Sequence, residues 1–218
     1  MAKRVTIFAG HYGSGKTNIA VNYALHLKKQ GLAVKIADLD IVNPYFRTKD
    51  SAAVLDAAQI PLISPAFANT NLDLPALPQE LYSLVQRKDS HAVLDVGGDD
   101  RGAYALGRYT PYILEENDYE MVFVANFYRP LTRTPEDALE VMREIEAACG
   151  IRFTCIVNNS NLGNDTTAGD IAATEEKAQV LSQLSGLPIF MTCAEKSIAG
   201  ETYFPLTLQE KYFDIKEI

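Results

Sequence analysis

Short apolar runs alternate with longer segments of helical period along most of the chain. Runs rich in Val, Ile, Leu and Phe predict strands, because a strand buried on both faces is apolar at consecutive positions. The predicted strands are residues 4–9, 33–37, 62–64, 92–95, 121–125, 153–157 and 188–191. The predicted helices are residues 16–30, 51–58, 80–86, 103–109, 134–148 and 172–184. This alternation predicts an α/β fold with three layers, a doubly wound, mostly parallel sheet with helices on both faces.

Local signals mark one end of two predicted helices. Gly31 follows the first helix, at the position where a helix commonly ends on glycine. Thr134 precedes a later helix as a potential N-cap residue, and Pro135 stands in its first turn. Glu136 and Asp137 then lie near the positive end of the helix dipole. These signals place a helix boundary independently of the hydrophobic pattern.

Composition restricts the classes of function. The 218 residues are enough for one α/β domain, so residues 1–218 are interpreted as a single domain. The net charge of −8 disfavours broad binding to DNA, which needs a basic surface. No apolar stretch is long enough for a membrane anchor, and the N-terminus lacks a signal-peptide pattern, so a cytoplasmic protein is expected. Three widely spaced cysteines without a C-x-x-C pair predict buried, reduced thiols.

A phosphate-binding pattern lies between the first predicted strand and the first predicted helix. It has the form G-x-x-x-x-G-K-[ST], and this strand–loop–helix context is the one that supports it. Its residues are Gly10, His11, Tyr12, Gly13, Ser14, Gly15, Lys16 and Thr17. The glycines allow backbone N–H groups to converge on phosphate oxygens at a helix N-terminus. Lys16 is expected to reach the β- and γ-phosphates and Thr17 to bind Mg²⁺, so the pattern predicts binding of a nucleoside triphosphate.

Acidic residues follow the next two central strands. Asp38 and Asp40 come at the end of the second strand, and Asp95 ends the apolar run 92–95. Ligands of open α/β sheets bind at the carboxyl ends of strands, so these acids are expected to face the triphosphate and its metal. One of Asp38 and Asp40 would support Mg²⁺ and the other would orient the attacking water, while Asp95 would hold Mg²⁺ through water. Gly98 is placed to contact the γ-phosphate through its N–H.

These motifs together resemble the MinD/ParA group of deviant-Walker P-loop ATPases. That group belongs to the larger class, called SIMIBI, that includes nitrogenase iron protein and dethiobiotin synthetase. The resemblance spans roughly residues 4–191. It implies ATP and Mg²⁺ as cofactors, Asp40 as the residue that positions water, Asp38 as an assistant at the metal, and an ATP-dependent homodimer.

One position departs from the group. Its members usually carry a lysine directly after the first glycine of the loop, and this chain has His11 there. A neutral imidazole does not replace a permanent cation, although a protonated one carries charge. Arg47 and Arg101 are the cations that the sequence offers instead.

The resemblance also places a base-reading asparagine at the end of the strand predicted over 153–157. Asn158 and Asn159 stand there, and no N-K-x-D sequence of the guanine-specific kind is present. An asparagine amide both donates to and accepts from adenine, so ATP is preferred to GTP. The alternative that these asparagines only cap or turn the chain stays open.

Two functions fit these motifs. The first is an ATPase that acts as a nucleotide-controlled switch on a protein partner. The second is a metabolic enzyme that activates a small carboxylate with ATP, as dethiobiotin synthetase and the cobyrinic acid amide synthases do. The enzyme requires a substrate pocket beside the γ-phosphate, for which residues 69–73 and 99–101 are candidates.

Overall fold

The computed structural model describes residues 2–39, 48–64, 79–98 and 100–208, with the backbone alone for residues 49, 50, 79, 100 and 101. Several expectations from the sequence therefore lie outside the described residues. They concern Asp40, Arg47, residues 69–73, residue 99 and the side chain of Arg101.

The described strands form one parallel sheet. They are β1 (Val5–Ala9), β2 (Val34–Leu39), β3 (Leu62–Ile63), β4 (His91–Val96), β5 (Tyr119–Ala125), β6 (Cys155–Asn158), β7 (Ile189–Glu195) and β8 (Phe204–Leu206). Their order in the sheet is β3-β2-β4-β1-β5-β6-β7-β8, and each described pair is parallel. The predicted α/β fold with a parallel sheet is confirmed. The last strand was not predicted, because it has only three residues and includes Pro205.

Helices cover both faces of this sheet. They are α1 (Lys16–Lys29), α2 (Ala52–Ala57), α3 (Gln79–Gln86), α4 (Asp100–Gly107), α5 (Thr110–Glu116), α6 (Pro135–Cys149), α7 (Ala168–Ser185) and α8 (Lys196–Ala199). Ile7 and Phe8 are neighbours on β1 but belong to different hydrophobic clusters. The cluster around Ile7 includes residues of α3 to α7, and the cluster around Phe8 includes residues of α1 and α2. The two clusters are the interfaces between the three predicted layers.

The helix signals explain where the sequence-based bounds hold and where they fail. The Thr134 side chain accepts from the Asp137 N–H, and Asp137 bonds back to the Thr134 N–H, so the predicted start of α6 has a capping box. The same pair of bonds joins Thr167 and Asp170 at the start of α7. This second capping box begins α7 at Ala168, four residues before the predicted residue 172. The capping bonds stabilise a first turn that is too polar to be recognised from the hydrophobic pattern.

Two further bounds differ from prediction. The helix expected over residues 103–109 is instead α4 followed by the unpredicted helix α5, which has Pro111 in its first turn. Strand β2 continues to Leu39, so Asp38 is a residue of the strand and not of the loop after it. Among the described residues, no helix is both long enough and apolar enough to span a bilayer.

The topology places one crevice at the centre of the sheet. Strand β1 lies between β4 and β5, and from β1 the chain crosses through α1 to β2 on the β4 side. Strands β5 and β6 lie on the other side of β1, so the connections diverge there. Ligands of open α/β sheets bind at such a switch point, outside the carboxyl ends of the strands.

Candidate functional site

The loop between β1 and α1 is a tight turn followed directly by a helix N-terminus. The Ser14 N–H donates to the His11 carbonyl at 3.1 Å, and Gly13 has the positive φ (76°) that glycine supplies at this place in a turn. Gly15, with φ 87°, precedes α1, and its carbonyl accepts the first helical bond, from the Ile19 N–H at 3.1 Å. The first N–H groups of α1 have no partner within the helix, which makes this end of the helix a site for an anion.

Lys16 and Thr17 occupy the first turn of α1 and are both buried. Their exposed fractions are 5% and 7%. The Lys16 ammonium donates to the His11 carbonyl at 3.4 Å, so the side chain lies back over the loop. The ammonium group is therefore close to the loop at which phosphate oxygens are expected.

His11 and Tyr12 form the tip of the loop. The His11 Nδ1 lies 3.0 Å from the Tyr12 carbonyl, which requires the proton on Nδ1 because a carbonyl only accepts. Tyr12 is 52% exposed. The position where the MinD/ParA group has its lysine is thus occupied by a ring that bonds to its own loop.

Two glycines let other parts of the chain approach this loop closely. A Cβ on Gly98 would lie 2.5 Å from the Tyr12 nitrogen and 3.0 Å from the Gly10 oxygen. A Cβ on Gly10 would lie 2.5 Å from the Val124 carbonyl of β5. The segment after β4 therefore packs directly on the phosphate loop, which is the place where Gly98 was predicted to meet the γ-phosphate.

Asp38 and Asp95 lie side by side on neighbouring strands. They are partners in the register of β2 and β4 and are 2% and 0% exposed. Adjacent strands are about 4.8 Å apart, and paired residues point to the same face of the sheet. The structure therefore brings together two carboxyl groups that are 57 positions apart in the sequence.

Thr48 was not singled out in the sequence, yet it contacts this acidic pair. Its hydroxyl donates to Asp95 Oδ2 at 2.9 Å, and the residue is fully buried. Thr48 begins a short 3-10 turn (Thr48–Ser51) that leads into α2. A single hydroxyl in a polar segment carries no local signal, so only the tertiary structure identifies it.

Asn159 joins the end of β6 to the phosphate loop. Its Nδ2 donates to the Ser14 carbonyl at 2.7 Å in a buried bond. Because a carbonyl only accepts, this bond also fixes which end of the amide is nitrogen. A Cβ on Gly15 would collide with that Nδ2, so glycine is required there by close approach as well as by its φ.

Asn158 bonds within the fold and not to the loop. Its Nδ2 donates to Thr174 Oγ1 of α7 at 3.1 Å, and its Oδ1 accepts from the N–H and the hydroxyl of Ser160. The residue is fully buried. The two asparagines that the sequence treated as one pair thus have different surroundings.

Arg129 also contacts the loop, although no motif in the sequence selects it. Its Nε donates to the Gly13 carbonyl at 2.9 Å. The residue follows β5 in a turn in which the Arg129 N–H donates to the Asn126 carbonyl at 3.1 Å. Arg47 and Arg101, the cations that the sequence suggested, have no described side chains, so Arg129 is the arginine shown at the loop.

Comparisons with known proteins identify the fold. The sequence matches no protein-family model and no curated protein sequence. In structure, the chain is similar to the cell division protein FtsY from Thermotoga maritima, with a TM-score of 0.65 and 14% identity over 93% of this chain and 65% of that one. It is also similar to the signal recognition particle 54 kDa protein from Aeropyrum pernix in complex with GDP, with a TM-score of 0.53 and 13% identity over 88% of this chain and 41% of that one. The fold is that of a P-loop NTPase.

At these identities the likeness shows the fold alone. The chain spans between 41% and 65% of the length of the similar proteins named above. The P-loop NTPase fold agrees with the class that the sequence resembles, and the MinD/ParA group itself remains a resemblance.

Within this P-loop NTPase fold, the predicted residues form two sets around the loop. Asp38, Asp95 and Gly98 belong to β2, β4 and the segment after β4, on one side. Asn158 and Asn159 belong to the end of β6, on the other side, together with Arg129 after β5. The loop from Gly10 to Thr17 lies between the two sets.

The three cysteines take no part in this site. Cys149, Cys155 and Cys193 are all buried as free thiols. Burial raises the pKa of the Cys155 thiol to about 12 and also raises the pKa of Cys193, so both stay protonated at neutral pH. Inert thiols of this kind agree with the expectation of buried, reduced cysteines.

Proposed function

We propose that this protein binds Mg²⁺ and ATP at the phosphate loop, hydrolyses the ATP, and acts as a nucleotide-controlled switch on a protein partner. The observation that carries the proposal is the arrangement at the centre of the sheet. A loop with the geometry of an anion site lies between β1 and α1, and the buried pair Asp38–Asp95 lies on the adjoining strands. Phosphate chemistry requires both an anion cradle and oxygen ligands for a metal.

The residues present fit Mg²⁺. This ion prefers oxygen ligands and keeps several of its waters, so one hydroxyl and one or two carboxylates are a sufficient protein contribution. Thr17, Asp38 and Asp95 supply those groups, and bound Mg²⁺ would neutralise charge on the phosphates.

Hydrolysis needs a group that orients water and a contact to the γ-phosphate. We assign the first role to Asp40, next to the end of β2, and an assisting role at the metal to Asp38. The N–H of Gly98 is assigned to the γ-phosphate, supported by the close packing of Gly98 on the loop. Lys16, buried over the loop, would neutralise the charge that develops in the transition state.

The preference for adenine rests on Asn159. Its Nδ2 is bonded to the Ser14 carbonyl, and its Oδ1 makes no hydrogen bond within the described part of the chain. An accepting oxygen suits the amino group of adenine better than the carbonyl of guanine. Asn158, whose amide bonds to Thr174 and Ser160, would hold the end of β6 in place next to Asn159.

The proposal of a switch is supported by two segments, one in contact with Asp95 and one in contact with the loop. Thr48 connects Asp95 to the turn before α2, and Gly98 connects the loop to the start of α4. A γ-phosphate and its Mg²⁺ would compete for the groups that these segments contact, so gain and loss of the phosphate would shift both segments. A homodimer or another protein that contacts α2 and α4 would sense that shift.

Hydrolysis is tested by phosphate release with Mg·ATP, Mg·GTP and Mg·ATP plus EDTA. We expect turnover with Mg·ATP, slower turnover with Mg·GTP, and none with EDTA. Asp40→Ala should bind ATP and lose turnover, whereas the matched variant Asp56→Ala, on exposed α2 surface, should behave as the wild type. Normal turnover in Asp40→Ala would assign the water to another residue, and no turnover in the wild type would refute the ATPase.

The switch is tested separately by sedimentation of Asp40→Ala with and without Mg·ATP. Dimerisation that depends on ATP would support the switch. A monomer or a constant dimer that ignores ATP would contradict it and favour the enzyme that activates a small carboxylate.

A further inference from the structure

We propose that Arg129 positions the phosphate loop and supplies the fixed positive charge beside the nucleotide phosphates. This inference rests on the proposed nucleotide binding. It identifies a source of positive charge in a chain in which His11 occupies the place of the lysine of the MinD/ParA group. The charge would come from within the same chain, from the segment after β5.

The segment that carries Arg129 is held rigidly on the sheet. Thr132 Oγ1 donates to the Asn126 carbonyl at 2.6 Å, and the Thr132 N–H donates to the Arg129 carbonyl at 3.2 Å. The Phe127 N–H donates to Ser160 Oγ at 3.0 Å, which ties this segment to the end of β6. A guanidinium on such a framework loses little further freedom when it binds a ligand.

Arg129 and Asn159 together fix two successive peptide groups of the loop. Arg129 binds the Gly13 carbonyl and Asn159 binds the Ser14 carbonyl. In a trans peptide the N–H points opposite to the C=O. Holding the Ser14 carbonyl toward Asn159 therefore directs the Gly15 N–H away from Asn159, into the loop. Holding the Gly13 carbonyl stabilises the turn that the Ser14 N–H closes on His11.

The remaining donors of Arg129 are suited to phosphate. Only Nε is used by Gly13, and within the described residues the two terminal nitrogens form no hydrogen bond or ion pair. Arginine keeps its charge at all relevant pH values, and its planar fork matches phosphate oxygens. In a chain with a net charge of −8, one unpaired cation at the loop raises the local potential for an anion.

Arg133 provides a matched control. It lies four positions further along the chain, is exposed, and its side chain forms no hydrogen bond or ion pair with the described residues. Arg133→Gln and Arg129→Gln change the net charge equally. Any difference between the two variants therefore reports on location and not on overall charge.

The test is calorimetric titration of AMP, ADP and a hydrolysis-resistant ATP analogue, at low and physiological ionic strength. Arg129→Gln should weaken the triphosphate about tenfold or more, ADP less, and AMP least, because a charge-assisted bond to phosphate is lost. The variant should also reduce the salt dependence of binding. Arg129→Lys, which keeps the charge, should recover part of the affinity, and Arg133→Gln should bind as the wild type.

The outcomes separate this inference from the proposed function. If the wild type binds no nucleotide, the proposed function itself fails. The role of Arg129 as a phosphate cation is refuted if the wild type binds nucleotide and Arg129→Gln binds it as tightly as Arg133→Gln does. It is also refuted if Arg129→Gln lowers the affinity for all three nucleotides equally. Melting temperatures measured without nucleotide exclude a loss of folding as the cause. If Arg129→Gln is unstable, Arg129→Lys takes its place in the comparison.

Discussion

The two sides of the central crevice are built from different interactions. On the β5–β6 side, Arg129 and Asn159 donate to backbone carbonyls of the phosphate loop, and both bonds are complete in the structure. On the β2–β4 side, Asp38 and Asp95 bring two buried carboxyl groups together, and Thr48 donates to one of them. In the proposed function, the first side prepares the loop for phosphate, whereas the second supplies carboxyl groups to Mg²⁺. Nucleotide binding and metal-dependent hydrolysis should therefore be separable by mutation.

The largest effect is expected from Asp95→Asn on the β2–β4 side. The change is nearly isosteric but removes a carboxylate that the proposal gives to Mg²⁺. We expect turnover to fall about a hundredfold or more, because charge stabilisation in the transition state is lost. The affinity for ADP without Mg²⁺ should change little, since the opposite side of the crevice is intact.

Steady-state phosphate release and calorimetry with ADP measure these two quantities. Equal losses in turnover and in metal-free ADP affinity would show that the two sides do not act separately. Unchanged turnover would remove Asp95 from the metal site.

Gly98→Ala is expected to disturb both sides, because Gly98 packs on the loop itself. The added Cβ would lie 2.5 Å from the Tyr12 nitrogen, so the backbone must shift. Overpacking of this kind costs about 1–3 kcal/mol of unfolding free energy, and the displaced loop should bind nucleotide more weakly. Gly107→Ala is the control, since its Cβ would come no nearer than 3.6 Å to its closest neighbour.

Urea unfolding and nucleotide titration measure the effect of Gly98→Ala. A variant that keeps wild-type stability and affinity would contradict the close packing of this segment on the loop.

Thr48→Val should have a smaller effect, restricted to the β2–β4 side. The substitution keeps the shape of the side chain but removes the hydroxyl that donates to Asp95. Loss of a buried hydrogen bond to a carboxylate costs about 1–3 kcal/mol of unfolding free energy. The Mg²⁺ concentration needed for half-maximal turnover should shift, while ADP affinity without Mg²⁺ stays the same.

Thr48→Ser keeps the hydroxyl and should recover most of the loss. If Thr48→Val behaves as the wild type while Thr48→Ser shows the loss, the methyl contact and not the hydrogen bond is responsible.

The smallest effect at neutral pH concerns the buried thiols, which take no part in the site. Burial raises the pKa of Cys155 to about 12, so at alkaline pH the folded state retains a proton that the unfolded state releases. Its contribution to stability is complete below the pKa of the unfolded thiol, about 8.5, and is lost as pH rises toward 12. The free energy of unfolding should therefore fall as the pH rises above about 8.5, and it should fall less in Cys155→Ala.

The native protein should also resist a thiol reagent at neutral pH. Rapid labelling of Cys155 or Cys193 without unfolding would contradict their burial.

The sequence predicted the parts of the site that are local. The loop from Gly10 to Thr17 has a fixed spacing between a strand and a helix, and the acids at 38 and 95 lie one residue before the ends of apolar strands that a parallel sheet places side by side. Thr48 and Arg129 were missed because neither has a local pattern. Arg129 meets Gly13 across 116 positions, a contact that exists only because β5 lies next to β1 in the sheet.

The most direct test of the account is a titration of wild-type protein with Mg²⁺ and a hydrolysis-resistant ATP analogue. We predict one nucleotide per chain, a loss of affinity of about a hundredfold or more in Lys16→Ala, and unchanged affinity in Lys29→Ala at the far end of the same helix. Binding in Lys16→Ala as tight as in the wild type, or no binding by the wild type, would contradict the account.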